Sequence, residues 1–166
     1  VAYAISQRGL RADKVAIMGT SYGGYAALMG AVRRPDLYKA AIGISGVYDL
    51  PDMLSSERRD DDSSDQIIYR FWVDRIGDPT ADRASLDAAS PRQRAAEIAC
   101  PVLLVHGDQD GIVSALQSTN MRDALNRAGK TVDYVNVVNG GHADWEDDIE
   151  SGLQARYVNL LRAAFA

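Results

Sequence analysis

The chain holds only two histidines, His106 and His142, and a serine, Ser21, flanked by glycines in the run Gly19-Thr20-Ser21-Tyr22-Gly23-Gly24. A serine hydroxyl is a poor nucleophile until a base takes its proton, and the usual base is a histidine oriented by a carboxylate. Two acids, Asp108 and Asp110, lie between the serine and the last histidine. His106 precedes both acids, so the order of residues reads it as a structural histidine, hydrogen-bonded at a strand end. His142 follows Gly140-Gly141 and has an acidic neighbour in Asp144, which suits a general base near solvent. Either carboxylate can serve it, since only a loop decides which of Asp108 and Asp110 turns towards His142.

Chemistry of this kind needs elements that bring distant residues together. The run Val15-Ala16-Ile17-Met18 before the serine and Tyr25-Ala26-Ala27-Leu28-Met29 after it read as strand, sharp turn and helix, the setting of a nucleophile elbow. Glycines there let strand and helix approach closely while the hydroxyl stays exposed. The helix that starts beside the serine offers free N–H groups and a positive dipole end to a developing anion. Apolar runs at 14–18, 40–44, 101–105 and 131–138 alternate with helical patterns at 22–33 and 116–128 and after 149. That alternation predicts a parallel α/β sheet with helices on both faces, the last strand nearer an edge. In such a sheet the residues just past the strands' carboxyl ends meet in one crevice, which Ser21, Asp110 and His142 can all reach.

The remaining segments read as scaffold. Residues 1–10 form the end of an amphipathic helix closed near Gly9. The polar stretch 55–65, with Arg58, Arg59 and Asp60 to Asp62, reads as a solvated surface loop. Residues 66–76 place Ile67, Ile68, Phe71, Trp72 and Ile76 at helical spacing, a core-facing stripe. A short-helix region at 84–98 breaks at Ser90-Pro91, and Cys100 is a buried small hydrophobe.

Composition narrows the function classes. The 166 residues are 46% hydrophobic and 25% charged, ordinary for one globular domain or part of one. A net charge of −5 with scattered Lys and Arg gives no nucleic-acid footprint. No apolar run is long enough for a membrane span, and the first residues lack signal-peptide order.

Beyond these general features, Gly19-Thr20-Ser21-Tyr22-Gly23-Gly24-Tyr25, His106-Gly107-x-x-Asp110-x-x-Val113, Ser90-Pro91 and Gly141-His142 occur in this order. Together they resemble the catalytic domain of the prolyl oligopeptidase (S9) serine peptidases, closest to the acylaminoacyl- and dipeptidyl-peptidase branches. The resemblance covers nearly all of residues 1–166. It implies an α/β-hydrolase fold and a Ser21-Asp110-His142 triad cleaving oligopeptides through an acyl-enzyme, with no cofactor and no metal. By the same resemblance the Tyr22 N–H is an oxyanion donor, and Val47, Leu50, Met53, Val113 and the Tyr22 ring line an apolar pocket for the residue before the scissile bond. Ser114 and Gly141 stand where family members often carry proline and an acidic residue.

An α/β-hydrolase places several strands before its nucleophile, yet only about 13 residues precede residue 14, and there is no initiator Met. The expectation is therefore the C-terminal portion of a catalytic domain, without the family's β-propeller. Such a piece alone is expected to be inactive or aggregation-prone, with the 14–18 strand edge bare. A carboxylesterase or lipase-like hydrolase is the alternative reading, because the triad chemistry is shared. A binding module that kept the fold and lost activity is a further one. Compartment and any self-association of the full-length protein are left open.

Overall fold

Among the described residues, four parallel strands, β1 (Ala16–Thr20), β2 (Ala40–Ile44), β3 (Val102–Gly107) and β4 (Val132–Val137), lie side by side in chain order. The computed structural model describes residues 1–58, 63–143 and 145–166. Both central strands are buried along their full length, as their unbroken apolar sequences require of a sheet covered on two faces. The outer strands are partly exposed; Met18 on β1 is 52% accessible.

Side chains alternate across the sheet with the strand period of two. One face carries Ala41, Val102 and Leu104 against α2 (Tyr22–Arg33) and α6 (Leu116–Arg127), through Ala27, Leu28, Ala31, Met121 and Leu125. The other carries Ile42, Ile44, Leu103 and Val105 against Leu153, Ile149, Tyr157 and Leu160 of α7 (Asp147–Ala164). The result is a three-layer α/β arrangement, the α/β-hydrolase pattern of a parallel sheet flanked by helices. Each fully buried Leu or Val contributes about 1.5–3 kcal/mol to holding these layers together.

Several sequence expectations need correction. The first helix, α1 (Ala2–Arg8), ends at Gly9 in the left-handed conformation as anticipated, but it buries none of its residues. Within the polar stretch 55–65, residues 55–57 belong to α3 (Leu50–Glu57) and residues 63–65 to α4 (Ser63–Ile76), so these are helical rather than loop. The cause lies upstream, where Asp49 caps the Asp52 N–H and proline stands in the first turn, so the helix is well started before the polar residues arrive. Arg59 and Asp60 to Asp62 from that stretch, and Asp144, lie outside the described residues.

The stripe on α4 is not core. Ile67 is 71% exposed and Phe71 45%, because α4 packs on α3 rather than on the sheet. Cys100 is buried, as its sequence setting implied.

Candidate active site

Ser21 sits between the end of β1 and the start of α2, at φ 58° and ψ −122°. A non-glycine residue with positive φ is strained, and here the strain is fixed by packing. The Ser21 N–H donates to the Ile44 carbonyl of the neighbouring strand at 2.8 Å, and its own carbonyl accepts from Gly24 N–H at 2.9 Å. A Cβ on Gly19 would overlap the Gly23 backbone, so strand and helix touch main chain to main chain. Gly23 itself faces open space. Tyr22 is the first helical residue, so its N–H is one of the donors that a helix start leaves without an intrahelical partner.

The two acids separate cleanly. Asp108 accepts from the Asn139 N–H at 2.7 Å and from the Asn136 side chain at 3.2 Å. Asp110 instead places Oδ2 2.8 Å from His142 Nδ1. Its other oxygen accepts from the Ile112 and Val113 N–H groups at 2.8 and 2.9 Å. Burial raises the Asp110 carboxyl, but the hydrogen bonds from Val113, His142 and Ile112 outweigh it and hold the group below the usual carboxylate range. The carboxylate is therefore an acceptor near neutrality, so in the uncharged imidazole Nδ1 of His142 carries the proton and Nε2 keeps its lone pair. The His142 side chain is a quarter exposed and the Asp110 side chain is buried.

The loops that carry this pair are locked together. The Asp108 N–H donates to Val137 O and the Gln109 N–H to Gly140 O, at 3.1 and 2.9 Å. A side chain at Gly107 would run into the Gly140 and Gly141 carbonyls. Trp145 closes the second loop by donating from Nε1 to the Gly141 carbonyl at 3.1 Å.

A cavity of about 1010 Å³ opens beside these elements. Ser21, Tyr22, Val47, Leu50, Met53, Asp110 and Val113 all line it. Sequence reasoning missed Tyr25 and the α4 residues Ile68, Trp72 and Ile76, which complete its apolar wall. Their helical spacing was visible, but the signal cannot distinguish a stripe facing a core from one facing a cavity.

One wall rests on a buried polar network. Gln117, from α6, accepts from both the Tyr48 and Asp49 N–H groups at 2.8 Å and donates to the Asp49 carbonyl at 3.2 Å. The Asp49 carboxylate takes hydrogen bonds from Arg92 and Gln93, each at 2.8 Å. Ser90 accepts from the Leu50 N–H and donates to Leu86 O of α5 (Arg83–Ala88). Ser90 thus ties the 90s loop to the wall that presents Leu50 and Met53.

The relatives of this chain agree with this architecture. It is 32% identical over 151 residues to dipeptidyl aminopeptidase BIII of Pseudoxanthomonas mexicana, spanning 86% of this chain and 20% of that protein. It is 28% identical over 163 residues to esterase LipC of Mycobacterium tuberculosis, spanning 89% of this chain and 39% of that one. Among solved structures, a puromycin-hydrolysing peptidase of Mycobacterium tuberculosis superposes with a TM-score of 0.71 at 27% identity, over 86% of this chain and 20% of its own. The chain therefore spans about a fifth to two-fifths of the length of the curated relatives it matches. The model of the prolyl oligopeptidase family, Peptidase S9, matches residues 1–164, and the chain belongs to that family.

Proposed function

We propose that the protein bearing this chain is a serine peptidase that cleaves short peptides through Ser21, His142 and Asp110. The observation that carries this reading is the 2.8 Å contact between Asp110 and His142, on loops beside a cavity that Ser21 lines. His142 Nε2 takes the Ser21 proton as Oγ attacks the scissile carbonyl, and the negative charge passes to the carbonyl oxygen. The Tyr22 N–H and the start of α2 stabilise that oxyanion; one such donor is worth about 2.7–4 kcal/mol in the transition state. The imidazolium then protonates the leaving amine, the C–N bond breaks, and an acyl-Ser21 ester remains. Water, activated by the same imidazole, releases the acid and restores the hydroxyl. Val47, Leu50, Met53 and Val113 offer an apolar seat to the residue before the cut. The dipeptidyl- and acylaminoacyl-peptidase names of the relatives support a short-peptide substrate.

An esterase is the second reading, favoured by the likeness to esterase LipC. The test is turnover of an aminoacyl-amide series against short-chain esters by the full-length protein, with fluorophosphonate labelling to locate the nucleophile. Labelling at Ser21 and cleavage of amides with apolar residues before the bond are expected. Ester hydrolysis without amide hydrolysis would reject the peptidase assignment, and absence of labelling at Ser21 would reject both readings.

A further inference from the structure

The fully buried His106 meets the same carboxylate as His142. Its Nε2 is 2.9 Å from the Val113 carbonyl and 3.0 Å from Asp110 Oδ2, the same oxygen that meets His142 Nδ1. Both neighbours are acceptors, so Nε2 must carry the proton. The N–H points at Val113 O, and Asp110 Oδ2 lies to its side, a close charge–dipole approach rather than a second aligned hydrogen bond. Nδ1 then accepts from the Ser118 hydroxyl at 2.7 Å, which completes the ring's polar contacts.

These contacts close a circuit. Val113 donates its N–H to Asp110 Oδ1 and gives its carbonyl to His106, so the 110–113 turn is folded around the buried imidazole. We infer that His106 is a positioning residue for the proposed reaction. It holds the Asp110 turn from inside the sheet and sets the positive end of an N–H dipole beside the oxygen that supports His142. This inference rests on the triad reading.

Two effects follow from that placement. A neutral donor beside Oδ2 draws part of the carboxylate's charge away from His142, so the imidazolium is stabilised less than by Asp110 alone. The same contact fixes the carboxylate's direction, which sets the direction of His142 Nε2. Among the described residues, the titratable groups that face His106 are Asp110 and His142 on the loops and Tyr48 near Ser118. Burial keeps His106 uncharged, and burial pushes the Tyr48 phenol far up, so neither titrates where the enzyme works.

The test is the pH profile of kcat/KM for the full-length protein and two variants. Asparagine at 106 reaches Ser118 but falls short of Val113 and Asp110, whereas glutamine extends its amide to the place of Nε2. His106→Asn is expected to move the acid limb up by about half a unit. It is also expected to lower kcat about tenfold with little change in KM. His106→Gln is expected to return the limb to its original position. Only folded, active molecules contribute to the profile, so partial loss of fold lowers its height and leaves the limb in place. An acid limb in His106→Asn that coincides with the parent's overturns the inference, as does a shift that glutamine fails to reverse. Failure of the triad reading shows separately, as undiminished turnover by Ser21→Ala or His142→Ala.

Discussion

Asp110 and His142, 32 residues apart in the chain, meet at 2.8 Å through Oδ2 and Nδ1, while two backbone N–H groups hold the other carboxylate oxygen. The carboxylate is thus held by main-chain contacts independent of the imidazole. Asp110→Asn keeps the shape and reverses the sense of that hydrogen bond, which favours the wrong tautomer of His142. The expected loss is about ten-thousand-fold in kcat, and Ser21→Ala or His142→Ala should cost about a millionfold. Asp108→Asn, whose carboxylate serves Asn136 and Asn139 instead, should lower kcat by less than about tenfold. Steady-state kinetics on the four variants decide this, and equal losses for the two aspartates would contradict the assignment.

The Ser21 turn makes a sharper claim about two glycines. Gly19→Ala drives a methyl into the Gly23 main chain, where nothing flexible can yield, and should destabilise by about 3 kcal/mol or more. Gly23→Ala enters open space in a helix and should be neutral or stabilising, by up to about 1 kcal/mol. Urea denaturation of the two variants measures both, and similar stabilities for the pair would refute the packing argument.

Gln117→Ala leaves two buried N–H groups, those of Tyr48 and Asp49, without their acceptor. A stability loss of about 2–5 kcal/mol is expected. Because those groups set the position of Leu50 and Met53, KM for apolar substrates should rise more than kcat falls. A variant as stable as its parent, with unchanged selectivity, would remove Gln117 from this role.

Acid should destabilise the fold in two stages. Burial lowers the native affinity of His106 for a proton, so the unfolded chain takes one up first. That contribution is intact above about pH 6.5, the unfolded value, and is lost as pH falls towards the lower native one. Asp110 follows at lower pH: its carboxyl is held below the usual range, so its contribution is present above about pH 3.9 and fades as pH drops through the native value. Thermal melts at pH 7.5 and 5.5 should show a drop in Tm that His106→Gln reduces. An equal drop in parent and variant would exclude His106 as the source.

The layered sheet was legible because its strands carry unbroken apolar runs and its turns carry glycines with a steric purpose. The 22–33 helix and the 40–44 strand stand where their patterns put them. What sequence could not supply was direction. Asp108 and Asp110 are indistinguishable by type; the Ile112 and Val113 N–H groups aim Asp110 at His142, while Asn136 and Asn139 hold Asp108 elsewhere. The α4 stripe misled for a related reason: periodicity shows that a face is apolar, whereas what that face meets is set by a tertiary neighbour, here α3. Gln117 gave no signal at all, since a lone glutamine on a helix looks like surface until its partners are known.

With no side chain between Gly107 and the Gly140-Gly141 carbonyls, Asp110 and His142 ride on a shared platform of main chain. Any flexing of the sheet then leaves the distance within that pair nearly constant and shows itself in the gap to the serine's turn, which follows β1, two strands from β3 and three from β4. Under the proposed mechanism, damage or tuning far from the centre would act by misaligning Ser21, and its signature would be slower acylation with the Asp110–His142 contact intact.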